Sequence, residues 1–233
     1  MNARAEFDGY AQSYDDTLNA GLKVSGEDSA FFAAHRIEET IRALAELAPS
    51  ISREKAIDFG CGTGNSSHQL KESFGFEKVF GLDVSPASLA VAAQRFDDPA
   101  LNFQTLESYA PAQDADLVFC NGVFHHIPPT QRATSLSYIR EALKPGGIFV
   151  FWENNPWNPG VHYVMRSIPF DRDAEKILPH AAARLLRKAG FRIIRLRFFF
   201  VFPKALAFLR FLEPMLSRLP FGAQYQIVAA RDR

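Results

Sequence analysis

Ala56-Ile57-Asp58-Phe59-Gly60-Cys61-Gly62-Thr63-Gly64 joins a short apolar run to three glycines at alternate positions. The run reads as a strand and the glycines as the tight loop that leaves it. Lacking a Cβ, glycine reaches positive φ and lets main-chain N–H groups come close to a ligand; a helix starting just beyond turns its positive end to the same point. A helix over 66–74, closed by Gly75, supplies that end. Strand, loop and helix in this order make a seat for a small polar ligand.

Outward from that stretch the pattern repeats. Strands are expected at 78–82, 101–104, 116–120 and 148–152, with a helix capped by Ser85-Pro86 and another carrying Leu136, Ile139 and Leu143. The run at 116–120 is apolar throughout, which suits a strand covered on both faces. Upstream, Phe31, Ala34, Ile37, Ile41, Leu44 and Leu47 recur three or four apart and mark an amphipathic helix over 29–48 that ends before Pro49. Downstream come a helix at 179–189 and two further strands at 191–202 and 223–230. The expected fold is α/β, a doubly wound, mostly parallel seven-stranded sheet. Asp83 closes the second strand 19 residues beyond Gly64, beside the glycine loop, where its two oxygens can accept both hydroxyls of a ribose.

The 233 residues, 47% of them hydrophobic, suit one domain, 1–233, with elaborations. These are a cap at 1–28 with Tyr10 and Tyr14, a substrate-loop region at 154–178, and an insertion at 203–219. In the insertion Phe208, Leu209, Leu212, Met215, Leu216 and Leu219 fall on one arc of a helical wheel, with Arg210, Glu213 and Ser217 opposite and a bend expected at Pro214. Lys plus Arg equals Asp plus Glu at 26 each, so no basic excess favours nucleic acid as a partner. Cys61 and Cys120 lie in or beside strands and the first residues form no apolar signal, which points to a reducing cytoplasm. Arg195, Arg197, Pro203, Lys204 and Arg210 break the most apolar stretch, so no stable membrane insertion is expected.

The chain resembles the class I S-adenosylmethionine-dependent methyltransferases that act on small molecules, of the ubiquinone-biosynthesis-like type. The resemblance runs from Phe7 to Glu153, with a strand, insertion, strand ending. It is carried by Asp58 followed by Gly60, Gly62 and Gly64, by Asp83, by 116–126, and by Leu143-Lys144-Pro145-Gly146-Gly147. It implies a Rossmann-like methyltransferase fold with an antiparallel last strand and S-adenosyl-L-methionine as cofactor. It also implies that Gly60, Cys61 and Gly62 pass the methionine part, Asp83 holds the ribose, Val84 lies on the adenine face, and the main chain at Asn121 meets the amino group. Glu107-Ser108 stands where the family usually has Asp-Ala, near the adenine amino group. A nicotinamide-dependent oxidoreductase would need glycine where Asn65 stands and has no use for an acid at 58. A methyltransferase-like binding module without catalysis is the other alternative.

Methyl transfer from a sulfonium is an in-line displacement that needs no protein nucleophile. Positioning two reactants removes about 7 to 11 kcal/mol of barrier, and a base adds roughly 10² to 10⁴-fold. His126 and His125 after the fourth strand are the candidate bases, and no metal is assigned. Tyr10, Tyr14, Glu153 and His162 are the candidate acceptor contacts, while Asp171 and Asp173 either cap the next helix or touch substrate. No Asn/Asp-Pro-Pro-Tyr segment follows strand four, where enzymes methylating nucleobase or glutamine amino groups carry it; the residues there are Asn121-Gly122-Val123-Phe124. The expected activity is therefore O-methylation of a small aromatic or apolar acceptor. The insertion is expected to act as a lid or a homodimer contact rather than as a membrane surface.

Overall fold

Apolar runs that cannot face water on either side become inner strands, and here they build the centre of a mixed sheet. The computed structural model describes residues 3–172 and 174–232. In chain order the elements are α1 (Ala3–Tyr10), α2 (Tyr14–Leu22), α3 (Ser29–Leu47), β1 (Lys55–Phe59), α4 (Asn65–Glu72), β2 (Lys78–Asp83), α5 (Pro86–Arg95), β3 (Leu101–Thr105), β4 (Ala115–Asn121) and α6 (Pro129–Ala142). They continue with β5 (Leu143–Asn154), α7 (Pro159–Ser167), α8 (Pro179–Lys188), β6 (Phe191–Phe199), α9 (Glu213–Leu216) and β7 (Gln224–Arg231). The sheet order is β3-β2-β1-β4-β5-β7-β6. Strands β1 to β5 pair in parallel and β7 runs antiparallel to both β5 and β6, in agreement with the expected seven strands and reversed last strand. Asp173, paired with Asp171 in the sequence reading, lies outside the described residues.

Helix α3 shows how the sheet is covered. Asp28 caps it by accepting the Phe31 N–H at 2.8 Å. Its buried face is Ile37, Thr40, Ala43 and Leu44, rotated from the purely apolar stripe read in the sequence. Thr40 is the reason: its hydroxyl donates to the Arg36 carbonyl and accepts from Trp152 Nε1 at 3.2 Å and Gln226 Nε2 at 3.3 Å. One hydroxyl thereby ties α3 to β5 and β7.

Two of the elaborations differ from expectation. The 154–178 region contains α7 and a 3-10 turn at Pro169–Asp171. Asn158 caps α7 by accepting from the N–H groups of Gly160 and Val161, and Pro159 occupies the first turn, a start signal hidden among residues that also read as loop. The insertion is a 3-10 segment, Lys204–Leu212, running into the single turn of α9. Pro214 sits in the first turn of α9, where its missing N–H has no intrahelical role, so it starts a helix rather than bending one. The polarity of the insertion is also reversed. Arg210 turns inward to Glu27 at 2.9 Å and Glu213 accepts the Phe202 N–H at 3.0 Å, which leaves Phe208, Phe211 and Met215 71%, 73% and 77% exposed. Among the described residues no helix is long and apolar enough to cross a membrane.

Gly81 on β2 permits close packing against β3 and α4: an added Cβ would lie 2.6 Å from Phe103 and 2.9 Å from the Ser67 hydroxyl. Gly81→Ala is expected to lower unfolding free energy by about 1 to 3 kcal/mol, measured by urea denaturation, through overpacking.

Candidate active site

The glycine loop is pinned before it can bind anything. The Gly60 and Cys61 N–H groups donate to the Leu82 carbonyl at 2.7 and 3.1 Å. Gly60 has φ of 77°, and a Cβ there would fall 2.2 Å from Val123 Cγ2. Gly62, with φ of 52°, has only open space in front of it, and its N–H donates to Asp83 Oδ2 at 2.9 Å. The other Asp83 oxygen accepts from the Ser85 N–H at 2.9 Å. Burial raises the Asp83 pKa in spite of these donors. Cys61 is buried, and burial holds its thiol well above the usual range. Beneath the loop Asp58 accepts the Ser67 hydroxyl at 2.8 Å; burial outweighs that bond and pushes its pKa up to about 7.

Three polar groups around this loop fit the end of a free amino acid. Asn121 Oδ1, at the end of β4, is buried with no hydrogen-bond partner, and so is Arg36 Nε from α3. Burial lowers the Arg36 pKa to about 10, against the pull of Tyr14 and Asp58. A carbonyl oxygen and a carboxylate suit an ammonium group, and a guanidinium edge suits a carboxylate, so the residues present fit the methionine end of S-adenosylmethionine. Sequence reasoning missed Arg36. The spacing of α3 carried no signal for it, because the buried face turns toward Thr40 only through tertiary partners. At the other end of the loop, Val84 is 40% exposed, and Glu107 and Ser108 lie exposed on the turn after β3. The Leu106 N–H bond to the Asp83 carbonyl, 3.2 Å, brings that turn beside Asp83.

The two histidines form one charge network. His125 Nδ1 meets Glu153 Oε2 at 2.7 Å, and its Nε2 stands 3.4 Å from Asp171 Oδ1; His126 Nε2 lies 3.2 Å from the same oxygen. Burial alone would lower the His125 pKa, but Glu153 and Asp171 outweigh it and raise the value to about 10. Burial alone would raise Asp171, but the two histidines outweigh it and hold its pKa at about 2. His125, His126 and Asp171 bring donor atoms within 4.8 Å of one another, and the His125 ring is already held between Glu153 and Asp171. Glu153 is buried under His125, and His162 Nε2 bonds the Pro156 carbonyl at 2.7 Å; neither candidate acceptor contact lines the cavity. Asp171 does not cap α8, whose N-cap is Leu178.

The cap lies over this centre. Asp8 accepts from the Ser85 hydroxyl at 2.6 Å and the Ala87 N–H at 3.2 Å, and Asp15 pairs with Arg95 at 2.8 Å. Tyr14 stacks on Phe170 at 5.0 Å and Tyr10 meets the same ring edge-on at 5.4 Å. Burial, and then the nearby Asp171 and Asp83, raise the Tyr14 pKa. A cavity of about 810 Å³ extends from Asn121 and His126 past Tyr14, Phe31 and Phe32 to Phe199 and Phe202.

The family described as "Methyltransferase domain" matches residues 57–149. Trans-aconitate 2-methyltransferase of Escherichia coli is 28% identical over 165 residues, 68% of this chain and 64% of that protein. The enzyme of that name from Methylobacterium nodulans is 30% identical over 160 residues, covering 69% and 61%. The chain thus spans less than two thirds of the length of these relatives. Among solved structures, a putative methyltransferase of Haloferax volcanii complexed with the Trm112 activator superposes with TM-score 0.67 at 23% identity over 98% of both chains. An S-adenosylmethionine-dependent methyltransferase of Mesorhizobium loti gives 0.60 at 20% identity, covering 83% and 96%. Phosphoethanolamine N-methyltransferase 2 of Haemonchus contortus, in complex with S-adenosyl-L-methionine, gives 0.60 at 18% identity, covering 95% and 60%. The fold is that of the class I S-adenosylmethionine-dependent methyltransferases, and residues 57–149 match the methyltransferase-domain family. Within that class its sequence is similar to the trans-aconitate 2-methyltransferases.

The His125 network makes stability depend on pH. A histidine whose folded pKa is about 10, above its ordinary 6.5, stabilises the fold fully below about pH 6.5 and loses that contribution as pH rises toward 10. Asp171, held at about 2, contributes above its ordinary range and loses that contribution as pH falls through 2. In urea titrations the wild-type midpoint should fall across the alkaline arm, and Glu153→Gln should be less stable at neutral pH with a flatter alkaline arm.

Proposed function

We propose that this chain transfers a methyl group from S-adenosylmethionine to an oxygen of a small, apolar or aromatic acceptor. The observation that carries this reading is the meeting of two features at Asn121–His126: a pinned glycine loop flanked by unsatisfied polar groups, and an aromatic cavity. The cofactor, when bound, supplies a sulfonium methyl. Asp83 holds the ribose hydroxyls with the lone pairs that its two backbone donors leave free. Asp58 and Asn121 hold the ammonium, and Arg36 the carboxylate.

The cavity holds the acceptor in line, and the closed cap excludes water. His126, beside Asp171, takes the proton released from the acceptor hydroxyl, and the carboxylate stabilises the imidazolium that forms. The absence of an Asn/Asp-Pro-Pro-Tyr segment after β4 supports oxygen over an amino nitrogen. The names of the relatives support a small-molecule acceptor.

Isothermal titration with S-adenosylhomocysteine tests the cofactor seat. Affinity should fall by up to tenfold per pH unit below about 7, because binding the ammonium requires ionised Asp58, and Asp58→Asn should bind more weakly with no such dependence. Asp83→Ala should abolish measurable binding. His126→Ala should bind S-adenosylhomocysteine normally and lower turnover at least a hundredfold with an accepted substrate; a loss under tenfold removes His126 as the base.

A further inference from the structure

The reversed polarity of the insertion leaves a contiguous apolar face with no cover. Phe208, Phe211, Met215, Leu219 and Phe221 are all more than 40% exposed. Trp157, 48% exposed, extends the face, because its loop is bonded to the end of the insertion through Asn155 to Pro220 and Asn158 to Phe221. Single exposed apolar residues are ordinary, but a contiguous group of aromatics marks a contact surface.

Charge identifies the partner. Between 195 and 221 the chain carries five basic residues and one acid, Glu213; Arg195 pairs with Glu46 at 2.8 Å, and Lys204 and Arg210 share Glu27 at 3.9 and 2.9 Å, which leaves Arg197 and Arg218 as the cations of this segment without an acidic partner among the described residues. Glu213 is turned inward to the Phe202 N–H. Burial together with the like charges of Arg195 and Arg218 lowers the Arg197 pKa. A second copy placed by two-fold symmetry would set this basic surface against itself. A specific protein partner would be oriented by polar side chains, yet Ser217 bonds Pro214 within its own turn. Aromatic and methionine side chains rimmed by cations are what an interfacial lipid contact requires.

We propose that the 203–221 segment, with Trp157, docks on an anionic lipid bilayer and sets the mouth of the cavity against it. Phe202, Pro203 and Pro214 line both the insertion and the cavity, so an acceptor dissolved in the bilayer reaches His126 without crossing water. The acceptor class, an apolar molecule that partitions into lipid, rests on the methyl-transfer reading; the docking does not.

Flotation of the full chain with vesicles tests it, using phosphatidylcholine alone and phosphatidylcholine mixed with phosphatidylglycerol. The wild type should float with the anionic vesicles and largely stay behind with the neutral ones. Phe208→Ser/Phe211→Ser/Met215→Ser should lower the bound fraction at least tenfold, and Arg197→Gln/Arg218→Gln should erase the preference for anionic lipid, with S-adenosylhomocysteine binding retained in both as proof of folding. No flotation with anionic vesicles, or flotation unchanged in the triple variant, overturns the docking. A light-scattering dimer that the triple variant splits, without lipid binding, assigns the face to a second copy and likewise overturns it. Flotation without any methyl transfer would leave the docking standing and remove the acceptor reading alone.

Discussion

Two N–H groups aimed at one carbonyl, those of Gly60 and Cys61 at Leu82, set the geometry on which the rest of the site depends. They bend the chain off β1 toward the end of β2, which brings Gly62 within reach of Asp83. The bend is possible only without a side chain at 60, since Val123 from the turn after β4 fills the space where a Cβ would go. One backbone corner thus holds the ends of three neighbouring parallel strands in fixed relation. The strand order that puts β1 between β2 and β4 makes this edge the place where a ligand can enter.

The same corner explains the buried charges nearby. A carboxylate with its pKa near 7 and a guanidinium pulled down to about 10 are unfavourable in a folded interior unless something compensates. Asp58 accepts the Ser67 hydroxyl and Arg36 donates to Gln224 at 3.2 Å, while Arg36 Nε is left buried without a hydrogen-bond partner. The histidine pair solves its own problem differently: the buried His125 ring lies between Glu153 and Asp171, and Asp171 also reaches His126 at the cavity wall.

The parts of the molecule governed by local period were readable from the chain. Apolar runs of five residues, glycines at alternate positions and an acid 19 residues beyond Gly64 each follow from strand pleat and turn stereochemistry, and they carry the sheet and the cofactor seat. What escaped depends on tertiary partners. The buried side of α3 contains Thr40 because Trp152 and Gln226 need an acceptor, and no spacing rule announces that. Glu153 looked like a cavity residue until His125 was seen lying against it. The orientation of the insertion was not readable, because a helical wheel separates polar from apolar without saying which side faces the protein. The inward pull of Glu27 on Arg210 decided it.

The base of that insertion is narrow. Phe200, in the left-handed region with φ of 63°, ends β6, and its carbonyl accepts the Ala223 N–H at 3.1 Å; Gly222 leaves no room for a Cβ against the Phe199 backbone. The two chain crossings are therefore neighbours, and the pairing of β6 with β7 closes beneath them, with the Phe198 N–H donating to the Ser217 carbonyl at 2.8 Å. A segment whose two ends meet on the sheet can change length with little entropic penalty, since loop closure depends only weakly on length. Selection can therefore rewrite the outer face between 203 and 221 while the glycine corner stays unchanged, so partner and cofactor evolve as separable traits on one sheet.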